Sequence, residues 1–136
     1  MRRSIIVFII LISCLLFNSC IGPGLSDWHY EFLPNYTIFR SSSVSRELAF
    51  TKEEYNIEYL VRGNICEIKY STDYIAVKEG GFSEKGVPIP KRYYLVYTKD
   101  NSVIEYNSME DLENRIKELE INDMTKWMNL YNNPWE

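Results

Sequence analysis

Nucleophiles and metal ligands are scarce in this chain of 136 residues. It holds one histidine, His29, and three cysteines, Cys14, Cys20 and Cys66. A structural zinc site takes four His, Cys or carboxylate ligands, so a standard centre of that kind is excluded, and no metal or cofactor is expected. A Cys66–His29 pair is the one conceivable nucleophile and base, but Cys66 falls on the apolar side of a strand pattern, where cysteines are usually inert. Ser41-Ser42-Ser43 and Ser45 lie beside Arg40, Arg46 and Glu47 without a G-x-S-x-G elbow, and read as a solvated edge. Glu53-Glu54 reads as a surface charge run. Glycine is sparse too, and Gly80-Gly81 and Gly86 lack phosphate-loop spacing. Basic charge is also short: 15 Lys and Arg face 19 Asp and Glu, a net charge of −4. The densest basic cluster holds only Lys85, Lys91 and Arg92. Phosphate contacts need a basic patch, so nucleic acid is excluded as a partner, and no catalytic residue is assigned.

What the chain does have is one long apolar run. Met1-Arg2-Arg3 precedes the 14 residues Ser4 to Phe17, almost all hydrocarbon, and Asn18-Ser19-Cys20 follows. A spanning helix needs about 20 residues, and a helix apolar on every side has no solvent face. A basic n-region, an apolar h-region and a small residue before a cysteine are instead the pattern of an exported lipoprotein. The expected division is a signal peptide at 1–19, removed; a lipid-anchored tether at 20–27; and a single α+β domain at 28–136. Cys20 is the expected acyl acceptor, with Cys14 as the alternative. Leu11-Ile12-Ser13-Cys14 fits the usual lipobox better, but it leaves only Ser4 to Ile12 as h-region.

On this reading the mature chain is 117 residues with 13 basic and 19 acidic side chains, a balance of −6. An acidic body has no pull toward anionic lipid. Attachment to the membrane then comes from acyl chains, at about 0.8 kcal/mol per buried CH₂, and the location is the cell membrane or outer membrane, on the extracytoplasmic side. Cys66 is left alone, so no intramolecular disulfide forms and packing must hold the fold. The material is there: 11 Tyr, 6 Phe and 3 Trp, of which 18 follow residue 19.

The body reads as strands and then helix. His29 to Leu33, Tyr36 to Arg40, Val44 to Phe50 and Ile57 to Val61 are β-rich segments, with Pro34-Asn35 as a turn. Ile65 to Tyr70 and Tyr74 to Val77 form a hairpin whose core face carries Cys66, Ile68, Tyr70, Ile75 and Val77, with Ile65 on the other face. Glu79 to Pro90 is a Gly- and Pro-bearing loop of a length at which loops are functional or mobile. Arg92 to Thr98 and Val103 to Tyr106 make a second hairpin. The period then changes. Ser108 caps a helix with Met109, Leu112, Ile116 and Leu119 on one face and acids in its first turn. Met124 to Leu130 is expected as a second short helix, with Trp127, Met128, Tyr131 and Trp135 folding back onto the sheet. The expected architecture is therefore α+β: an antiparallel meander of about five to seven strands followed by one or two C-terminal helices.

Several segments, in order, resemble the DUF3997 family of small bacterial lipoproteins. They are Asp27-Trp28-His29-Tyr30-Glu31, Leu33-Pro34-Asn35-Tyr36-Thr37-Ile38, Arg40-Ser41-Ser42, Ile65-Cys66-Glu67-Ile68-Lys69-Tyr70, Asp73-Tyr74-Ile75-Ala76-Val77-Lys78, Tyr93-Tyr94-Leu95-Val96-Tyr97-Thr98-Lys99, and the acidic helix after Tyr106. Phe32 and the poor lipobox depart from that pattern. The resemblance implies a lipid cysteine a few residues ahead of the Asp-aromatic-x-Tyr motif, which favours Cys20, and implies no activity and no catalytic residues.

Three functional classes follow. The first is a non-enzymatic envelope lipoprotein that binds an envelope protein or a cell-wall component through exposed aromatics and the 79–90 loop. The second is an immunity or inhibitor-type lipoprotein that blocks a toxin or hydrolase. The third is a small hydrolase. The tyrosines around residue 93 admit two readings, a stacking platform or cross-strand core packing.

Overall fold

The computed structural model describes residues 27–42, 44–53 and 56–132. Within them, β1 (Trp28–Leu33), β2 (Tyr36–Ser42), β3 (Ser45–Glu53) and β4 (Asn56–Val61) form one antiparallel sheet in chain order. The second sheet holds β5 (Ile65–Tyr70), β6 (Tyr74–Glu79), β7 (Arg92–Tyr97) and β8 (Ser102–Tyr106), again in chain order. After β8 comes the helix α1 (Met109–Glu118), and β9 (Met128–Asn129) then returns to pair with β5. The α+β class expected from sequence is found, with nine strands in two sheets and one helix among the described residues.

Turn chemistry sets the first sheet. Asn35 takes a left-handed φ of 69°, a conformation Asn tolerates better than most residues, and its N–H donates to Glu31 Oε1 at 3.0 Å. Strand alternation then sends Tyr36, Ile38, Leu48 and Val61 toward the second sheet. They meet Ile65, Ile68, Ile75, Val77 and Val96 in a core between the sheets. Each such side chain contributes about 1.5–3 kcal/mol when fully buried. Tyr36 closes one end of this core, its hydroxyl donating to Thr98 O at 3.0 Å and Asn101 Oδ1 at 2.6 Å.

One face assignment is corrected. The β5–β6 register shifts between Ile65 and Glu67. A bulge of this kind breaks strict alternation. It turns Ile65 into the core beside Ile68, while Cys66 Sγ points to Lys78 O at 3.3 Å.

The other face of the second sheet is covered by the helix. Leu112 and Ile116 pack on Ala76 and Leu95, with Tyr74, Tyr93, Tyr97 and Tyr106 around them. Ser108 caps α1 as expected, accepting from Asp111 N at 3.1 Å. The helix ends in a Schellman arrangement: Ile121 N donates to Ile116 O and Glu120 N to Lys117 O. Glu120 occupies the left-handed position, with φ 54°.

The expected helix at Met124 to Leu130 is not formed; this stretch is extended. Seven residues are too few to hold an isolated helix, and the open edge of β5 offers backbone partners instead. Thr125 N donates to Tyr70 O at 2.8 Å and Leu130 N to Cys66 O at 3.0 Å. Trp127 does fold back onto the sheet, under the ammonium groups of Lys78 (4.0 Å) and Lys69 (4.8 Å). Those cations are paired with Glu67 and Glu113. Leu130 is wholly buried in the core between the sheets. Trp135 lies outside the described residues.

Candidate interaction surface

The residues with chemical potential do not converge. Cys66 is sealed from solvent in the second sheet, and burial pushes its thiol pKa up, away from the reactive thiolate. His29 stands exposed on the first sheet, beside Phe39. The two belong to different sheets and form no dyad. Ser41 and Ser42 sit at the end of β2, where Ser42 Oγ accepts from Val44 N at 3.3 Å and Arg40 Nε donates to Ser42 O at 3.2 Å. This is a turn, and Ser43 lies outside the described residues. No group of three or more His, Cys, Asp or Glu among the described residues sits together to hold a metal ion. Cys14, Cys20 and the tether up to residue 26 lie outside the described residues, as does Glu54.

Two surfaces suggested by sequence also resolve. The tyrosines of β7 are committed to packing: Tyr94 is 9% exposed in the core between the sheets, and Tyr93 joins the cluster under α1. The 79–90 loop is pinned, with Phe82 and Pro88 bridged, Ser83 N donating to Val87 O at 2.9 Å, and Ile89 N to Gly81 O at 2.8 Å. At its tip Gly86 (φ 74°) lies so close to the Tyr131 ring that an added Cβ would sit 2.6 Å from it. The loop presents Val87 and Ile89 to solvent from this rigid frame.

The surface the sequence reading missed is the outer face of the first sheet. Register places His29, Phe39 and Glu47 in one cross-strand row. Glu31, Thr37, Ala49 and Tyr59 form the next. The rings make a line, His29 to Phe39 at 6.3 Å and Phe39 to Tyr59 at 6.4 Å between centroids. The Arg62 guanidinium lies 4.9 Å over the Tyr59 ring. Small Thr37 and Ala49 are buried between these larger neighbours, while Tyr59 and Ile57 remain exposed. A depression of about 360 Å³ opens here, lined by Asp27, His29, Phe39, Glu47 and Tyr59 among others. A second, of about 510 Å³ and lined by Glu31 among others, shares His29 with it.

The two sheets thus differ. The second carries α1 on its outer face; among the described residues no helix covers the outer face of the first, where Arg62 lies over Tyr59. The signal for it was present in β2, where Thr37 and Phe39 alternate with buried Tyr36 and Ile38. A strand with a large ring on each side has either two covered faces or one sticky one.

No family model matches the chain, and no similar curated protein or solved structure was found. No helix among the described residues is long and apolar enough to cross a membrane.

Proposed function

We propose that this chain is a lipid-anchored envelope protein of the DUF3997 kind, a non-enzymatic module that binds a partner on the extracytoplasmic side of a membrane. Acylated Cys20 holds it to the membrane, and the outer face of the first sheet does the binding. The ring stripe His29–Phe39–Tyr59 on a sheet face that no described helix covers carries this reading. Exposed contiguous aromatic surface is costly in water and marks interaction sites. The stripe begins in β1, a few residues after Cys20, so a partner on it would be held near the membrane.

Two measurements test the proposal. Fatty-acid labelling in cells is expected to vanish in Cys20→Ala and persist in Cys14→Ala; the reverse moves the anchor. A photo-cross-linking residue at position 39 is expected to capture a dominant partner from the membrane fraction that the same residue at position 105, on the β8 edge, does not. Equal capture from both positions removes the surface from the proposal. A blocking lipoprotein that inhibits a toxin or hydrolase is the second reading, supported by the pinned loop that presents Val87 and Ile89, since a preorganised loop binds with less entropic loss.

A further inference from the structure

We infer that the occupant of the first sheet's outer face is a cationic, arginine- or lysine-bearing segment of a partner protein; this rests on the binding reading above and specifies its chemistry. Charge and ring complementarity both favour such an occupant. Phe39 stands directly across from Glu47 in the β2–β3 register, so a carboxylate flanks an aromatic face. Cross-strand neighbours of this kind place Cβ atoms about 4.5–5.5 Å apart. Glu47 has no ion-pair partner among the described residues. Glu31 stands in the neighbouring row, its bond to Asn35 N at 3.0 Å leaving the second carboxylate oxygen for another donor. A ring face beside a carboxylate is the arrangement that attracts a guanidinium or ammonium group.

The chain supplies its own illustration, because Arg62 already lies over Tyr59 at 4.9 Å. Phe39 offers the same kind of face one ring along the stripe. Arg40 also lines the depression, but its Nε is turned to Ser42 O at 3.2 Å. The balance of the body points the same way: 19 acidic against 15 basic side chains over the whole chain would steer a basic partner toward it.

The test uses the full-length chain in detergent and fluorescein-labelled hexa-arginine amide as the probe, read by anisotropy. Binding is expected to weaken by about tenfold when Phe39→Leu and Tyr59→Leu are combined, since Phe39 offers the open cation–π face and Tyr59 is the ring packed beside it. Glu47→Gln is expected to weaken it by about threefold or more. Glu105→Gln, which removes the same charge from the β8 edge, is expected to change it by less than about twofold. Equal losses in Glu47→Gln and Glu105→Gln, with no effect of the ring substitutions, would mean diffuse attraction to an acidic body and would overturn the inference. So would binding of uncharged chitotetraose that needs the two rings while hexa-arginine binding does not; the occupant would then be a saccharide. Tyr59→Leu alone, at an exposed position, guards against misfolding of the double variant. Capture of a partner at position 39 together with no ring-dependent hexa-arginine binding would leave the binding reading standing and remove its cationic specification.

Discussion

Replacing Arg46 by Met should be among the most damaging single changes in this protein, although it removes a charge from the interior. Arg46 is 1% exposed. Its Nε donates to Leu130 O at 2.8 Å, Nη1 to Asn64 Oδ1 at 2.7 Å, and Nη2 to Tyr131 O at 3.3 Å, while its guanidinium lies 4.7 Å over the Phe82 ring. One side chain of β3 thus ties the first sheet to the β4–β5 connection, the pinned loop and the C-terminal strand. Met keeps the stem and forfeits these bonds. The Leu130 carbonyl is left buried without this donor, at about 1–3 kcal/mol, and the two more accessible acceptors lose about 0.5–1.5 kcal/mol each. Relief opposes part of this, since burial lowers the Arg46 pKa to about 10 and so disfavours the charged form. The net is about 2–4 kcal/mol, a fall in thermal midpoint of about 8–16 °C for a domain of this size. Thermal unfolding followed by near-ultraviolet circular dichroism measures it. A change below about 0.5 kcal/mol, the range of an ordinary surface substitution, would refute the idea that Arg46 clamps the sheets together.

Other consequences are as direct. Glu120→Gly is expected to raise stability by about 1 kcal/mol, because Glu120 holds a left-handed conformation that costs residues with a Cβ; an unchanged denaturant midpoint would contradict it. Leu130→Ala should cost about 2–5 kcal/mol, as the side chain is fully buried between the sheets, and a urea titration decides this. Ser71→Ala should stabilise by about 1 kcal/mol, since the Ser71 hydroxyl is buried with no hydrogen-bond partner among the described residues; a fall in thermal midpoint would show a partner for it. Burial raises the pKa of Tyr30, Tyr36, Tyr94 and Tyr106 above the ordinary value of 10.0. Their stabilisation is fully present below pH 10 and is lost as pH rises through the folded-state values. Unfolding on the alkaline side should therefore coincide with a cooperative rise in tyrosinate absorbance, and a non-cooperative rise in a chain that stays folded would contradict this.

Local patterning made most of the strands legible. The Pro34-Asn35 turn, the hairpin around Ser71-Thr72-Asp73, the second hairpin around Asp100-Asn101 and the Ser108-capped helix all follow from short-range chemistry, and all are where the sequence places them. What failed depended on partners distant in sequence. The stretch Met124 to Leu130 has too little periodicity to decide between helix and strand, and the vacant edge of β5, about sixty residues earlier, decides it. The bulge that turns Ile65 inward is a register matter between β5 and β6, invisible to alternation alone. The ring stripe was missed for a related reason. Phe39 and Tyr59 are ordinary strand residues until β2, β3 and β4 are set side by side, and only then do they form a line with His29.

The two sheets differ in how their outer faces are filled. Both have apolar side chains on both faces, and in both one face fills the shared core. The second sheet meets its remaining apolar demand internally: Ala76 and Leu95 are wholly buried under Leu112 and Ile116, and the tyrosines around them are partly buried against the same helix. The first sheet has Phe39, Tyr59 and Ile57 outward with only small Thr37 and Ala49 filled in between. A sheet serving only as a lid for the core would place polar, β-favouring residues there, as antiparallel sheets with one solvated face do. Rings on the solvent side cost solubility, and among the described residues Phe39 meets only its neighbours His29 and Tyr59 within the sheet face, which is why this face supports the binding proposal. The same reasoning separates them from Val87 and Ile89, whose exposure follows from a loop held in place by Arg46, Phe82 and Tyr131. Altering the rings should therefore leave the thermal midpoint near its starting value and weaken binding, whereas altering Arg46 should lower the midpoint.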